Sequence, residues 1–232
     1  MNRLVLGAIF VGVFAAGLVA SMPLGVALAW TGAGESGLSA SAVSGSIWNG
    51  RIEDMRLRGF RFGTVEARLD PFGLLTGTSR VHLQSRDGEA VLVKGRSEGL
   101  DGADAIVDLA ALVLAMPVEG VVRLQGATVL FETGRCSKAA GHLVADIAHG
   151  KWKGPRLAGE LVCDGALAVA KLSGSGAGAE VTLAFSVDAN ARYILQSRVT
   201  SSNSALRLAL SLAGFEEGEG GMQRSDQGRL GT

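Results

Sequence analysis

The chain has 232 residues, enough for one domain or two small ones beyond any targeting segment. Lys plus Arg and Asp plus Glu stand at 22 each, so no net field recruits nucleic acid or anionic lipid, and a hydrophobic fraction of 47% excludes a disordered chain. Glycine numbers 34 without a collagen period, which implies many turns and short strands, and 5% aromatics leave the core to Val, Leu and Ala.

From Leu4 to Trp30 the chain carries no charge. At 1.5 Å per residue such a run crosses a hydrocarbon core of about 30 Å, even with a kink at Pro23. Arg3 and the α-amino group precede it, and Glu35 is the first charge after it. The positive-inside rule therefore leaves the N-terminus cytoplasmic and exports the remainder, with Trp30 where an interfacial residue is expected. Residues 1–30 thus read as a cytoplasmic tip and transmembrane anchor. The rival reading is a cleaved signal peptide, cut after Ala20 or after Ala29. The apolar run exceeds the usual signal-peptide core, which favours an uncleaved anchor.

Residues 31–37, TGAGESG, read as a flexible linker. Strand signals follow. Asn49-Gly50 predicts a type I′ hairpin, with Trp48 and Arg51 as the flanking cross-strand pair and Ile47 facing Ile52. Met55 and Leu57 fall out of phase with Ile52, which predicts a bulge at Glu53-Asp54. Val65, Ala67 and Leu69 share one face of the next strand. DPFGLL, 70–75, predicts a single helical turn with Asp70 as cap and Pro71 at the first position.

Further strands are expected at 80–85, 89–95 and 127–133. The segment between them, 101–117, changes period: Ile106, Leu109, Ala110, Leu112 and Val113 form an apolar face at helical spacing, and Pro117 stops it. Strands resume at 142–149, 156–165, 166–174, 180–188 and 192–199, with Asp164-Gly165 as a tight turn. The alternating leucines 206, 208, 210 and 212 suit a strand, but the Ser/Asn start and the Gly214 stop favour a helix. Residues 216–232 are glycine-rich and charged, and read as a flexible tail. The fold class is mainly β: an N-terminal transmembrane helix, then an antiparallel β-sheet periplasmic domain over 38–215 with two or three short helices. Its two halves, about 38–100 and 120–200, form either one sheet or two.

Few residues suggest chemistry. Cys136 and Cys163 are the only cysteines, and an even count in an exported chain favours a disulfide over a metal site with His142 and His149, for which no ligand spacing is present. GRSEG, 95–99, matches the G-x-S-x-G elbow around Ser97, but that motif needs a helix directly after it. GSGAG, 174–178, lacks the third glycine and the helix of a dinucleotide loop and reads as a hairpin loop. His82 reads as a cross-strand surface residue. Trp48 with Phe60, Arg61 and Phe62 reads first as a half-buried cross-strand cluster and second as an aromatic binding surface. No catalytic, cofactor or metal residues are expected.

The order of these features resembles protein N of the bacterial type II secretion system. The resemblance rests on MPLGVALAW, the VSGSIWNGRIEDMRLRG hairpin, the GRCSKAAGHL turn, LAGELVCDGALAV and YILQSRVTSS with ALRLALSLAGF. Its most specific pieces are the Ser-Gly-x-x-Trp-x-Gly hairpin (Ser44, Gly45, Trp48, Asn49 and Gly50) and the two cysteines. Similar hairpins also occur in periplasmic proteins of the AsmA type. The resemblance implies an inner-membrane protein with a single anchor and a periplasmic β domain, an accessory part of the machine that exports folded proteins. Its implied partners are the inner-membrane platform, the periplasmic subunits and the exported proteins. The family's closing strand pair has little apolar counterpart in this tail. The alternative is a lipid-handling β domain of the AsmA or lipopolysaccharide-export kind, which predicts a continuous apolar groove on one strand face. A filled core with exposed edges is what the secretion reading predicts.

Overall fold

A computed structural model describes residues 10, 11, 13, 14, 17, 18, 20–30, 38–57, 60–108, 119–149, 152–176 and 178–230. Phe10, Val11, Val13, Phe14, Gly17, Leu18 and Ala20 are helical. After Ser21–Pro23 come α1 (Leu24–Trp30), β1 (Leu38–Ser39), β2 (Ala42–Ser46), β3 (Asn49–Leu57) and β4 (Phe60–Leu69). The short α2 (Pro71–Leu75) leads to β5 (Ser79–Ser85), β6 (Gly88–Lys94), β7 (Ser97–Asp108), β8 (Glu119–Glu132) and β9 (Arg135–His149). Then follow β10 (Trp152–Asp164), β11 (Leu167–Gly176), β12 (Ala179–Val187), β13 (Arg192–Ser201), α3 (Ser204–Leu212), β14 (Glu216–Gly218) and β15 (Gly221–Arg229).

Among the described residues all the strands join one 15-stranded antiparallel sheet. From β3 to β13 each strand pairs antiparallel with the next. β1 and β2 both flank β3, and β15 pairs with β13 on one side and β14 on the other. The two halves that the sequence left as one sheet or two are therefore continuous. The β6–β7, β8–β9 and β12–β13 turns line one open cleft, although the β10–β11 hairpin lies between the last two in the sheet.

Burial follows the period of two. In β13, Leu195, Ser197 and Val199 are buried while Ile194, Gln196 and Arg198 are exposed. Cross-strand register carries this face across the molecule. Ile52, Val65, Ser85, Gly88, Ala105, Leu124, Leu143, Gly159, Leu172, Leu183, Ser197 and Arg224 form one transverse row, each directly opposite the next. Two hydrophobic clusters sit on this face. Leu24, Ile52, Met55, Val65 and Ala67 form the first, and a larger one reaches from Leu143 and Leu157 to Val199, Phe215 and Met222. Between them the row narrows to Ser85, Gly88 and Ala105.

Several expectations are met. Ile52 and Met55 are separated by a register shift, with Asp54 at φ 48°, so the bulge is present. The Asp70 carboxylate accepts the Phe72 N–H at 2.9 Å and caps α2. Asn203 caps α3 by accepting from Ala205 and Leu206, and Gly214 ends it at φ 84°. The β10–β11 turn is tight, but its two loop residues are Gly165 and Ala166, because Asp164 pairs with Leu167.

Two expectations are corrected. The helix predicted over 101–117 is strand as far as Asp108, paired with β6 and β8. Ile106 is 55% exposed whereas Ala103 is buried, so strand pairing has overridden the helical spacing. Residues 109–118, which hold the rest of the predicted apolar face, lie outside the described residues. The expected flexible tail from 216 is a strand pair as far as Arg229. It needs little apolar content, because β13 offers a full ladder edge and Met222 alone is buried in the core.

Candidate docking site at the β2–β3 hairpin

The hairpin forms, but two residues before the predicted place. Gly45 pairs with Gly50 and Ser46 with Asn49, so Ile47 and Trp48 make the turn instead of Asn49 and Gly50. Ser44, not Trp48, is opposite Arg51, and Val43, not Ile47, faces Ile52. The cause is tertiary. The Ile47 N–H donates to the Met22 carbonyl at 3.1 Å, and the Ile47 carbonyl accepts from the Leu69 N–H at 3.2 Å. The half-buried Trp48 donates from Nε1 to the Ala20 carbonyl at 3.1 Å. A turn at Asn49-Gly50 would abandon all three bonds.

The two glycines of the motif have separate reasons. Gly45 stands at φ 82°, where a Cβ would press on the Asn49 carbonyl oxygen at 2.5 Å. Gly50 is a notch: a Cβ there would collide with Leu24 Cδ2 and lie 2.9 Å from the Ser46 carbonyl oxygen. Leu24, 8% exposed, fills that notch and packs with Leu28 onto Ile52, Met55, Val65 and Ala67. Pro23 forms an isolated bridge with Ser46. Ser44 and Asn49 are exposed strand positions. The motif is thus a socket for Ala20–Leu24.

This socket divides the apolar run that the sequence presents as one segment from Leu4 to Trp30. Leu24–Trp30 is a separate helix against the sheet, and Met22–Pro23 is the break. Among the described residues no helix is long and apolar enough to cross a membrane. Arg3 and the predicted linker 31–37 lie outside the described residues. Trp30 is 79% exposed. Sequence reasoning missed Ala20, Met22 and Leu24 as partners of the hairpin, and the only signal was Pro23, read there as a kink.

Cys136 and Cys163 are joined as a disulfide with Cα atoms 5.6 Å apart, and the Cys136 N–H donates to the Ala166 carbonyl at 3.3 Å. Together these fasten the start of β9 to the β10–β11 turn, and both thiols are thereby removed from metal chemistry. Among the described residues no group of three His, Cys, Asp or Glu side chains is placed to hold a metal ion. His142 faces Glu160 at 3.5 Å.

Ser97 opens β7 opposite Glu132, so strand rather than helix follows it and the nucleophile-elbow geometry is not formed. Gly174 and Gly176 lie at the end of β11 and Gly178 just before β12, which pairs with it as a hairpin. His82 is an exposed cross-strand residue opposite Arg68 and Val91. Trp48 and Phe62 do not come together, because they lie towards opposite ends of β3 and β4.

In the cleft, Asp188 accepts the N–H groups of Asn190 at 2.8 Å and Arg192 at 2.9 Å and pairs with the Arg192 guanidinium at 3.2 Å. Chiefly the Arg192 N–H, with those further bonds, holds its carboxyl below the ordinary carboxylate range against some desolvation. Asp188 is therefore committed to shaping the β12–β13 turn.

Fold and site together define a one-sheet antiparallel β protein clamped at one corner to an apolar N-terminal segment. The family model of the type II secretion system (T2SS), protein N, matches residues 36–224, most of the chain, and the chain belongs to that family. Its place is therefore among the components of the type II secretion machinery. No curated protein and no solved structure matches it.

Proposed function

We propose that the protein is a non-enzymatic accessory subunit of the type II secretion machine, anchored in the inner membrane, with its sheet in the periplasm making protein–protein contacts during export. Family membership carries this reading. The disulfide supports an oxidising compartment. Because Leu24–Trp30 packs on the sheet, the anchor on this reading is the charge-free run from Leu4 to about Ala20, near the short limit of a transmembrane helix, with Arg3 on the cytoplasmic side. Trp48 then takes the interfacial place that the sequence suggested for Trp30.

The contacts run to the inner-membrane platform, to periplasmic subunits and to exported proteins. One edge suits them: β14 covers only Gly221–Gln223 of the outer side of β15, leaving a ladder edge on which a partner strand gains main-chain hydrogen bonds.

A second reading, lipid handling, is favoured by the apolar face between the two clusters. Leu92 there is 45% exposed, and Ala90, Leu100 and Val107 on the same face are half-buried. One experiment separates the two. Crosslinking in intact cells is combined with mass spectrometry of lipid bound to the purified protein. Crosslinks to secretion subunits from an empty protein support the contact reading. Bound lipid without such crosslinks replaces it with the second.

A further inference from the structure

We propose that the sheet edge carrying the β2–β3 turn and α2 rests on the bilayer surface, held there at a fixed angle by the hairpin socket. This rests on the anchor reading above.

The first support is the lack of slack. The Ala20 carbonyl is bound by Trp48, the Met22 carbonyl by Ile47, Pro23 is bridged to Ser46 and Leu24 is buried against Gly50. A flexible tether consists of residues without partners. Here attachments begin where the upstream helix ends, so helix end and sheet corner move as one body.

The second support is what that helix presents. Phe10, Val11, Val13, Phe14 and Leu18 are each between 58% and 72% exposed. At 100° per residue they span an arc of about 160°, wider than the stripe by which a helix packs on a protein core. No charged residue interrupts the run from Leu4 to Ala20. Such a surface is suited to hydrocarbon, and it is delivered to this one edge.

The third support is the edge itself. The Leu69 N–H bound to Ile47 sets the entry to α2 beside the socket, and the Asp70 cap fixes its first turn. Phe72 on that turn is 76% exposed. Gly95 packs against the Gly77 carbonyl, which brings the β6–β7 turn alongside with the exposed Arg96, paired to Glu132 at 2.6 Å. An aromatic ring and an arginine stem next to a membrane entry suit the headgroup layer, where an apolar body and a polar tip are both accommodated. The bilayer is the occupant favoured over a protein partner, because the apolar helix reaches this edge with no spacer.

The test uses the full chain in vesicles of phosphatidylcholine and phosphatidylglycerol, with its native disulfide intact. Single nitroxide labels are placed through Phe14→Cys, Phe72→Cys and Arg86→Cys, the last on the β5–β6 turn at the opposite edge. Collision with oxygen and with a water-soluble nickel chelate is measured for each. Labels at 14 and 72 are expected to be several-fold richer in oxygen contact and poorer in nickel contact than the label at 86. A protected label at 14 with position 72 as open to nickel as position 86 overturns the edge assignment alone. A label at 14 open to nickel overturns the anchor reading itself. Adding Trp48→Phe to the variant labelled at 72 is expected to raise nickel contact there, and unchanged contact removes the socket from the proposal.

Discussion

At its N-terminal end the sheet is covered by α1, and at its C-terminal end by α3, yet the two covers are held by different means. α1 is attached through its entry: Leu24 in the Gly50 notch, with Ala20 and Met22 bound by the hairpin turn. α3 is capped within the domain. Asn203 closes its first turn, Leu206 and Leu210 pack on the larger cluster, and Arg224 donates to the Ala213 carbonyl at 2.5 Å past its last turn. Arg224 also grips Asp226 with two bonds of 2.8 Å, which raises its affinity for the proton further. The C-terminal half of the sheet has the disulfide as well. A cover that links a domain to a neighbouring segment is built from a joint, whereas a cover that completes a core is built from caps and apolar area.

Substitutions can break or sharpen this contrast. Cys136→Ser opens a loop whose ends are 27 residues apart, and the chain-entropy model puts the loss at about 3.5 kcal/mol, read from denaturant midpoints with and without reductant. Leu157→Ala removes a large side chain that is 0% exposed, at a cost of about 3 kcal/mol. Hydrogen exchange then tests the contrast directly. Protection lost over β9–β15 but retained over β3–β5 makes the two clusters separate units, and uniform loss makes them one.

Gly50→Val evicts Leu24, and the expected cost of about 2 kcal/mol falls on the first cluster. The same change should leave the protection of α3 untouched. Trp48→Phe keeps a six-membered aromatic ring and deletes the donor to Ala20, at about 1 kcal/mol in thermal melts. If a chain lacking residues 1–21 shows the same loss from Trp48→Phe, the bond to Ala20 is not its source.

The smallest effect concerns pH. Because the folded state lowers the carboxyl pKa of Asp188, its contribution is present above the unfolded value and is lost as pH falls through the folded one. Asp188→Asn should therefore flatten the fall of melting temperature below about pH 4. An unchanged acid limb would show that the Arg192 contacts contribute nothing to stability.

Much of this architecture was legible in the chain itself. Alternation located most strands, and the caps of α2 and α3 were readable because Asp70, Asn203 and Gly214 act on backbone groups within a few residues. The hairpin register was not legible. Asn49-Gly50 is a favourable local turn, but bonds from Ile47 and Trp48 to Met22, Leu69 and Ala20 outweigh a local preference. Ile106 matched helical spacing and became strand, since β6 and β8 stood ready to pair with β7. The polar β15 offered only Met222 as a hydrophobic signal, and β13 recruited it through backbone bonds.

By itself, then, the chain determined what short-range chemistry can specify: its strands by period, its helix caps, its paired cysteines and its family. Only the tertiary structure decided the turn at Ile47–Trp48, the division of the apolar run at Pro23, the continuity of the two halves and the closing strand pair. Each of these depends on main-chain partners or packing notches supplied by residues distant in sequence, and no local pattern encodes them.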